Sequence, residues 1–260
     1  MEPDPSPFGP APAAIEARSL VKRFGTITAL EGVSLSVPAG QVTALLGPSG
    51  SGKSTLLRCL NGLELADSGS LVFEGRAVEP GERALDRLRS HVGMVFQQFN
   101  LFSHLSAQDN VALAPRVVHG LSAKAAGERA RACLERVGLS GRASHFPTQL
   151  SGGEQQRAAI ARALAMEPRV LLFDEPTSAL DPELTGEVLD VMASLAAEGR
   201  TMVVVTHEVA FARAAASEWV LMDAGRIVER GAPDQVMHAP ATERAARFFA
   251  RHGERPSPSG

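Results

Sequence analysis

Tyrosine is absent from the 260 residues, tryptophan occurs once and cysteine twice. Cys59 and Cys133 lie far apart, with no C-x-x-C pair and no zinc spacing, which excludes a disulfide framework and a cysteine-based zinc site. Two isolated cysteines read instead as small buried hydrophobes in a reducing compartment. A basic excess is also missing. The net charge of −3 and the pI near 6.2 supply no face suited to nucleic acid, so no nucleic-acid partner is expected. No apolar run nears the ~18 residues that a membrane-crossing helix needs. Met1-Glu2-Pro3-Asp4-Pro5 is acidic and proline-rich where a signal peptide is basic and then apolar, so the expected location is the cytosol. Any work at a membrane then requires a partner that holds the chain there. Internal repeats are lacking, and low complexity is confined to the two ends. What remains is ordinary for a soluble α/β protein: 44% hydrophobic and 21% charged, long enough for one large domain or two modest ones.

What is present centres on Gly47-Pro48-Ser49-Gly50-Ser51-Gly52-Lys53-Ser54-Thr55. This fits G-x-x-x-x-G-K-[ST], a loop whose backbone N–H groups turn inward around a phosphate. Val42 to Leu46 reads as a short buried strand before it. Thr55 to Leu60 reads as a helix after it, so the phosphate would meet a helix N-terminus, where free N–H groups and the macrodipole favour an anion. In that motif Lys53 reaches the β- and γ-phosphates of a nucleoside triphosphate, and the Ser54 hydroxyl holds Mg²⁺.

The rest of the chain supplies partners for this loop. Residues 1–14 are rich in proline and alanine and read as a disordered tail. Alternating patterns predict strands at 15–21 and 33–37, and a further strand at 69–75. A charged helix over 80–91 precedes an apolar strand, 92–96, that runs into Gln97. Residues 104–147 become alanine-rich and helix-forming, broken at Pro115, Gly120, Gly138 and Pro147, which suggests a helical subdomain, about 104–166, inserted into an α/β core. Val170 to Phe173 is a buried strand ending in Asp174 and Glu175. Asp181-Pro182 opens a helix, and 201–206 is a strand ending at His207. A helix with Phe211, strands near 219–222 and 226–228, and a last helix over 243–251 follow, and 251–260 reads as a C-terminal tail.

Four apolar strands therefore end in Lys53, Gln97, Asp174 with Glu175, and His207. In an open, mostly parallel sheet, ligands lie at the carboxyl ends of strands. Asp174 would hold Mg²⁺ directly or through water, and Glu175 would polarise the attacking water as general base. Gln97 can touch both metal and water, being donor and acceptor at once; the alternative is a polar cap at a strand end. His207 either donates to the γ-phosphate or is structural. Ser151 and Glu154 fit a capping box with no ligand needed. Gly152 and Gly153 are what capping leaves unexplained, since they weaken a helix and bare its backbone to an approaching anion. Phe24 is either core or a platform for a nucleobase.

Taken together, residues 15–250 resemble the ATP-binding subunit of ABC transporters. The matching segments are the phosphate loop GPSGSGKST, the signature LSGGEQQR, the Walker B segment VLLFDEP, the D-loop SALD and the switch histidine of VTHE. The resemblance implies a P-loop NTPase fold of the ABC ATPase type: a mostly parallel core sheet, an antiparallel β subdomain and an inserted α-helical subdomain. It implies a head-to-tail homodimer with each ATP between one subunit's phosphate loop and the other's signature. Ser151, Gly152 and Gly153 would then contact the γ-phosphate of the partner's nucleotide. Asp181 would communicate across the interface, Gln97 would sense the transmembrane partner, and Phe24 would stack on adenine where tyrosine is common.

The finer resemblance is to importers of polar amino acids of the glutamine, histidine and arginine group, through GMVFQQFNLFSHLSAQDN, LLRCLNGLE, FDEPTSALDPEL and a short C-terminal helix. It implies an ATPase at the cytoplasmic face of the membrane, working with permease subunits and, through them, an extracytoplasmic solute-binding protein. Phe99, Leu101, Phe102 and Leu105 either line a groove for the permease or pack in the core. Glu154 departs from the pattern: glutamine is more usual there in that group, and glutamate is frequent in lipoprotein-extracting transporters. The alternatives are a lipoprotein-release or other ABC exporter, and a soluble ATP switch.

Overall fold

A computed structural model describes residues 13–252. The tails expected at 1–14 and 251–260 therefore lie mostly outside the described residues. Ala13 and Ala14 depart from that expectation by opening the first strand, because Ala14 is buried there, and Arg251 and His252 end the last helix.

Along the chain, β1 (Ala13–Phe24) and β2 (Ile27–Pro38) form a long hairpin, followed by β3 (Val42–Leu46) and α1 (Lys53–Asn61). Next come β4 (Ser68–Phe73), β5 (Arg76–Ala77), α2 (Glu82–His91) and β6 (Val92–Val95). The alanine-rich stretch folds as α3 (Ala107–Val118), α4 (Ala123–Arg136) and α5 (Gly152–Leu164). Then follow β7 (Val170–Asp174), α6 (Pro182–Ala197), β8 (Thr201–Val205), α7 (Val209–Ala215), β9 (Glu218–Asp223) and β10 (Arg226–Gly231). The last two helices are α8 (Pro233–His238) and α9 (Glu243–His252). Pro115 was expected to break a helix but lies inside the last turn of α3, where the helix continues for only three residues past the one backbone N–H that proline lacks. Helix α8 was not anticipated, although Pro233 at its first position is the usual signal.

Two sheets result. One is antiparallel, in the order β2-β1-β4-β5; the other has six strands, β10-β9-β3-β8-β7-β6, all parallel except β10. In β3, β7 and β8 every residue is buried, as strands covered on both faces require. Alternation then divides each run between two cores. Val42, Ala44, Leu46, Leu171, Phe173, Met202 and Val204 face α3 to α7 and α9. Leu45, Val170, Leu172, Val203 and Val205 face α1 and the antiparallel sheet. On the helical side Trp219 is fully buried, stacks on Phe249 at 5.5 Å and donates its indole N–H to the Ala212 carbonyl. Because β3, β8, β7 and β6 run parallel in adjacent positions, their carboxyl ends, and the residues that follow, emerge along one edge.

Candidate functional site

The loop between β3 and α1 is wedged between two other strands, and glycine is what lets it fit. At Gly47, with φ 139°, a Cβ would stand 2.1 Å from the Met222 carbonyl oxygen in β9. At Gly52, with φ 100°, it would stand 2.4 Å from the Ala29 carbonyl in β2. Gly52 is the N-cap of α1 and lends no side chain to it, so the first-turn N–H groups keep their capacity for an outside acceptor. Among the described residues the buried Ser51 hydroxyl also has no hydrogen-bond partner. Lys53 is buried, and its ammonium donates to the Gly47 and Pro48 carbonyls, each at 2.9 Å. Burial pulls its pKa down, opposed by Glu175 and Asp174.

The Ser54 hydroxyl donates to Asp174 Oδ1 at 2.6 Å, which joins α1 to the end of β7. Burial pushes the Asp174 carboxyl up, against the opposing pull of that hydrogen bond and of Arg58. Glu175 carries a left-handed backbone, φ 47°, unusual for a residue with a side chain. Its N–H donates to Val205, and its carbonyl accepts from the Ser178 N–H and hydroxyl, which hold the turn. The turn brings Glu175 Oε1 to 3.3 Å from Nε2 of His207, just beyond β8. Gln97, two residues past the end of β6, is exposed and among the described residues makes no hydrogen bond to Ser54, Asp174 or Glu175. The structure therefore brings Lys53, Ser54, Asp174, Glu175 and His207 together and leaves Gln97 at the rim.

Ser151, Gly152 and Gly153 are elsewhere. Helix α1 packs on β6, β7 and β8 in the core on one face of the six-stranded sheet, and α5 packs on α3, α4 and α6 in the core on the other. Ser151 is the N-cap of α5, and the capping box is real: its hydroxyl accepts from the Glu154 N–H at 3.1 Å while Glu154 Oε2 accepts from the Ser151 N–H at 2.9 Å. The two glycines also have an internal reason. A Cβ at Gly152 would stand 3.1 Å from Leu180, and one at Gly153 would stand 3.3 Å from Leu184 in α6. Close helix packing thus accounts for part of what capping left unexplained. Asp181 is the exposed N-cap residue of α6, and its side chain makes no capping hydrogen bond.

Phe24, at the tip of the β1–β2 hairpin, is 46% exposed, with the Lys22 ammonium 5.0 Å from its ring centre. It is therefore not a core residue. Leu101 packs against the helical core, whereas Phe102 is exposed. Sequence reasoning missed two side chains of α5 that grip the loop after β6. Gln156 donates to the Phe96 carbonyl at 3.2 Å, and Arg162 donates to the Phe99 carbonyl at 3.0 Å and to that of Asn100. These contacts span some sixty positions and leave no local pattern.

The donor set fits a nucleoside triphosphate with a hard divalent cation. The glycine cradle admits phosphate oxygens, and a serine hydroxyl beside a carboxylate offers oxygen ligands of the kind Mg²⁺ prefers. Among the described residues no cluster of three or more His, Cys, Asp or Glu is arranged to hold a metal.

Comparison with known proteins points the same way. Residues 30–178 match the ABC transporter family. The chain is 52% identical to the glutamate transport ATP-binding protein GluA of Corynebacterium glutamicum, over 91% of its own length and 98% of that protein. It is 50% identical to the glutamine transport ATP-binding protein GlnQ of Escherichia coli, over 90% of itself and 98% of the relative. Among solved structures, the dimeric post-hydrolysis state of the ATP-binding cassette MJ0796, bound to ADP and Pi, superposes with a TM-score of 0.76 at 34% identity, covering 84% of this chain and 98% of that one.

Proposed function

This chain belongs to the ABC transporter family and is an ATPase, and from that premise we propose that it powers an importer of polar amino acids from the cytoplasmic face of the membrane. Relatives that transport glutamate and glutamine, each about half identical over nearly the whole chain, support that cargo class over an exporter or a free-standing switch. The observation that carries the catalytic reading is the pairing of Glu175 with His207 at 3.3 Å, beside the Ser54–Asp174 hydrogen bond.

The roles follow from these positions. Lys53 would turn its ammonium from the loop carbonyls to the β- and γ-phosphates. Ser54 and Asp174 would hold Mg²⁺, with Gln97 closing in from the rim. Bound there, Mg²⁺ neutralises phosphate charge as it develops. The Glu175 carboxylate accepts the proton of the attacking water, and His207 orients that carboxylate and donates to the phosphate side. Phe24 presents an open ring to the adenine. Ser151, Gly152 and Gly153 lie on the far face of the sheet from their own phosphate loop, so they serve the nucleotide of a second copy, with Asp181 close to the joint. ATP binding closes the pair and hydrolysis reopens it. The loop over 97–105, gripped by α5, passes that motion to permease subunits, which in turn serve a solute-binding protein outside the membrane.

Sedimentation of Glu175→Gln with and without ATP tests the shared site. Accumulation of a dimer only with nucleotide is expected; a variant that stays monomeric at saturating ATP would sink the reading.

A further inference from the structure

The glutamate that departs from the expected signature has its own cation. Arg142, at the end of the short helical turn Ser140–Arg142 that follows α4, places Nε 2.8 Å from Glu154 Oε1, while the other carboxylate oxygen takes the Ser151 N–H. The one carboxylate is thus shared between a backbone donor of the signature and a guanidinium. The Ser151 N–H and then Arg142, with a smaller pull from Arg157, hold the carboxyl below its ordinary range against the opposing effect of burial, so Glu154 is ionised at neutral pH. The other nearby arginine is committed elsewhere: Arg157 pairs with Glu187 at 2.9 Å and donates to the Val137 carbonyl. Among the described residues Arg142 is the only cation paired with Glu154.

An ionised carboxylate in the first turn stabilises its own helix. On the face that must receive a triphosphate it is a like charge, and it cancels part of the N-terminal dipole that would attract the anion. We propose that Arg142 is a positioning residue for ATP-driven closure. It balances Glu154 and keeps it on the Ser151 backbone, so that Ser151, whose hydroxyl already accepts the Glu154 N–H, presents its O–H proton to the phosphates held by a second copy. This inference rests on the shared-site reading above. The same turn also feeds the groove side of the molecule. The Ala143 and His145 carbonyls accept from the first N–H groups of α3, and Asn110 of α3 binds the backbone of Phe102 and Leu105. Arg142 therefore sits where the groove-side loop and the signature share one support.

The test uses Glu175→Gln as the parent, so that closure is measured without turnover, and follows the monomer–dimer equilibrium by analytical ultracentrifugation across an ATP titration. R142A is expected to need about tenfold more ATP for half-closure, the size of one lost charge-assisted hydrogen bond. Binding of a fluorescent ATP analogue to the monomer should be unchanged, and R142K should restore most of the loss. Removing the charge that Arg142 balances should remove the need for Arg142, so R142A/E154Q should close within about twofold of E154Q alone. The thermal midpoint of R142A should move by no more than about 3 °C, as for an exposed ion pair. Closure of R142A at the parent's ATP concentration would overturn the inference, as would a loss of equal size in R142A and in R142A/E154Q. A parent that stays monomeric at saturating ATP would instead overturn the shared-site reading, and this inference with it.

Discussion

At the carboxyl ends of β3 and β7 the working groups are buried or half-buried side chains, Ser54 joined to Asp174 by a 2.6 Å hydroxyl–carboxylate bond and the Lys53 ammonium folded back onto its own loop. At the start of α5 the groups on offer are one hydroxyl and a run of backbone N–H groups, at the exposed tip of a helix. The first region holds its charges at a cost in desolvation, visible in the depressed Lys53 and the raised Asp174. The second, through Arg142 and Glu154, is close to neutral. Chemistry on a phosphate needs the former, because only groups already placed and dried can act without reorganising. Docking onto a phosphate held by another copy needs only the latter.

That contrast is sharpest in turnover. Glu175→Gln should lower the hydrolysis rate by about 10²- to 10⁴-fold while nucleotide affinity holds, because one proton acceptor is lost and no phosphate contact is. Steady-state kinetics beside equilibrium binding separates the two. Lys53→Ala should lose about ten- to a hundredfold in ATP affinity, the worth of charge-assisted hydrogen bonds to phosphate. Ser151→Arg should leave binding to the monomer intact and block closure. Mixing the last two variants breaks or upholds the comparison directly. Each alone should be nearly inactive, whereas an equal mixture forms dimers with one complete site and should recover about a quarter of the parent rate. No recovery would mean that both regions serve the same subunit's nucleotide.

The first region was legible in the sequence and the second only half so. Short apolar runs punctuated by glycine, or by Asp-Glu, announce strands that deliver polar groups at one edge, and Val42–Leu46, Val170–Asp174 and Thr201–Val205 obey that rule. Nothing local shows that Glu175 takes a left-handed backbone, since the carbonyl of Val205 that holds it comes from another strand. The Ser151–Glu154 capping box could be read from spacing. The fit of Gly153 against Leu184 could not, because it depends on how α5 crosses α6. Gln156, Arg162 and Arg142 were silent for the same reason: their partners are set by tertiary packing.

Gly153→Val measures that packing. A bulky side chain there meets Leu184 at once, so the variant should lose about 1 to 3 kcal/mol of stability. Thermal denaturation without nucleotide reads this free of any effect on phosphate contact. A wild-type midpoint would return Gly152 and Gly153 to a role in anion contact alone.

The smallest effect runs the opposite way and concerns the burden carried by the first region. Asp174 has a raised pKa in the folded chain, so its contribution to stability is complete below the unfolded carboxylate value, about 3.9, and is lost as the pH rises through the folded value. Lys53 is the mirror case: its pKa is lowered, and its contribution falls away as the pH drops through the folded value. Burial thus works against the charged form of both groups. Asp174→Asn should raise the thermal midpoint of the nucleotide-free protein at pH 7 by roughly 2 °C. The gain should fade as the pH is lowered into the ordinary carboxylate range, and Mg²⁺-dependent tightening of ATP binding should be lost. The same carboxylate would then weaken the resting fold and hold the metal, a trade the exposed start of α5 never makes.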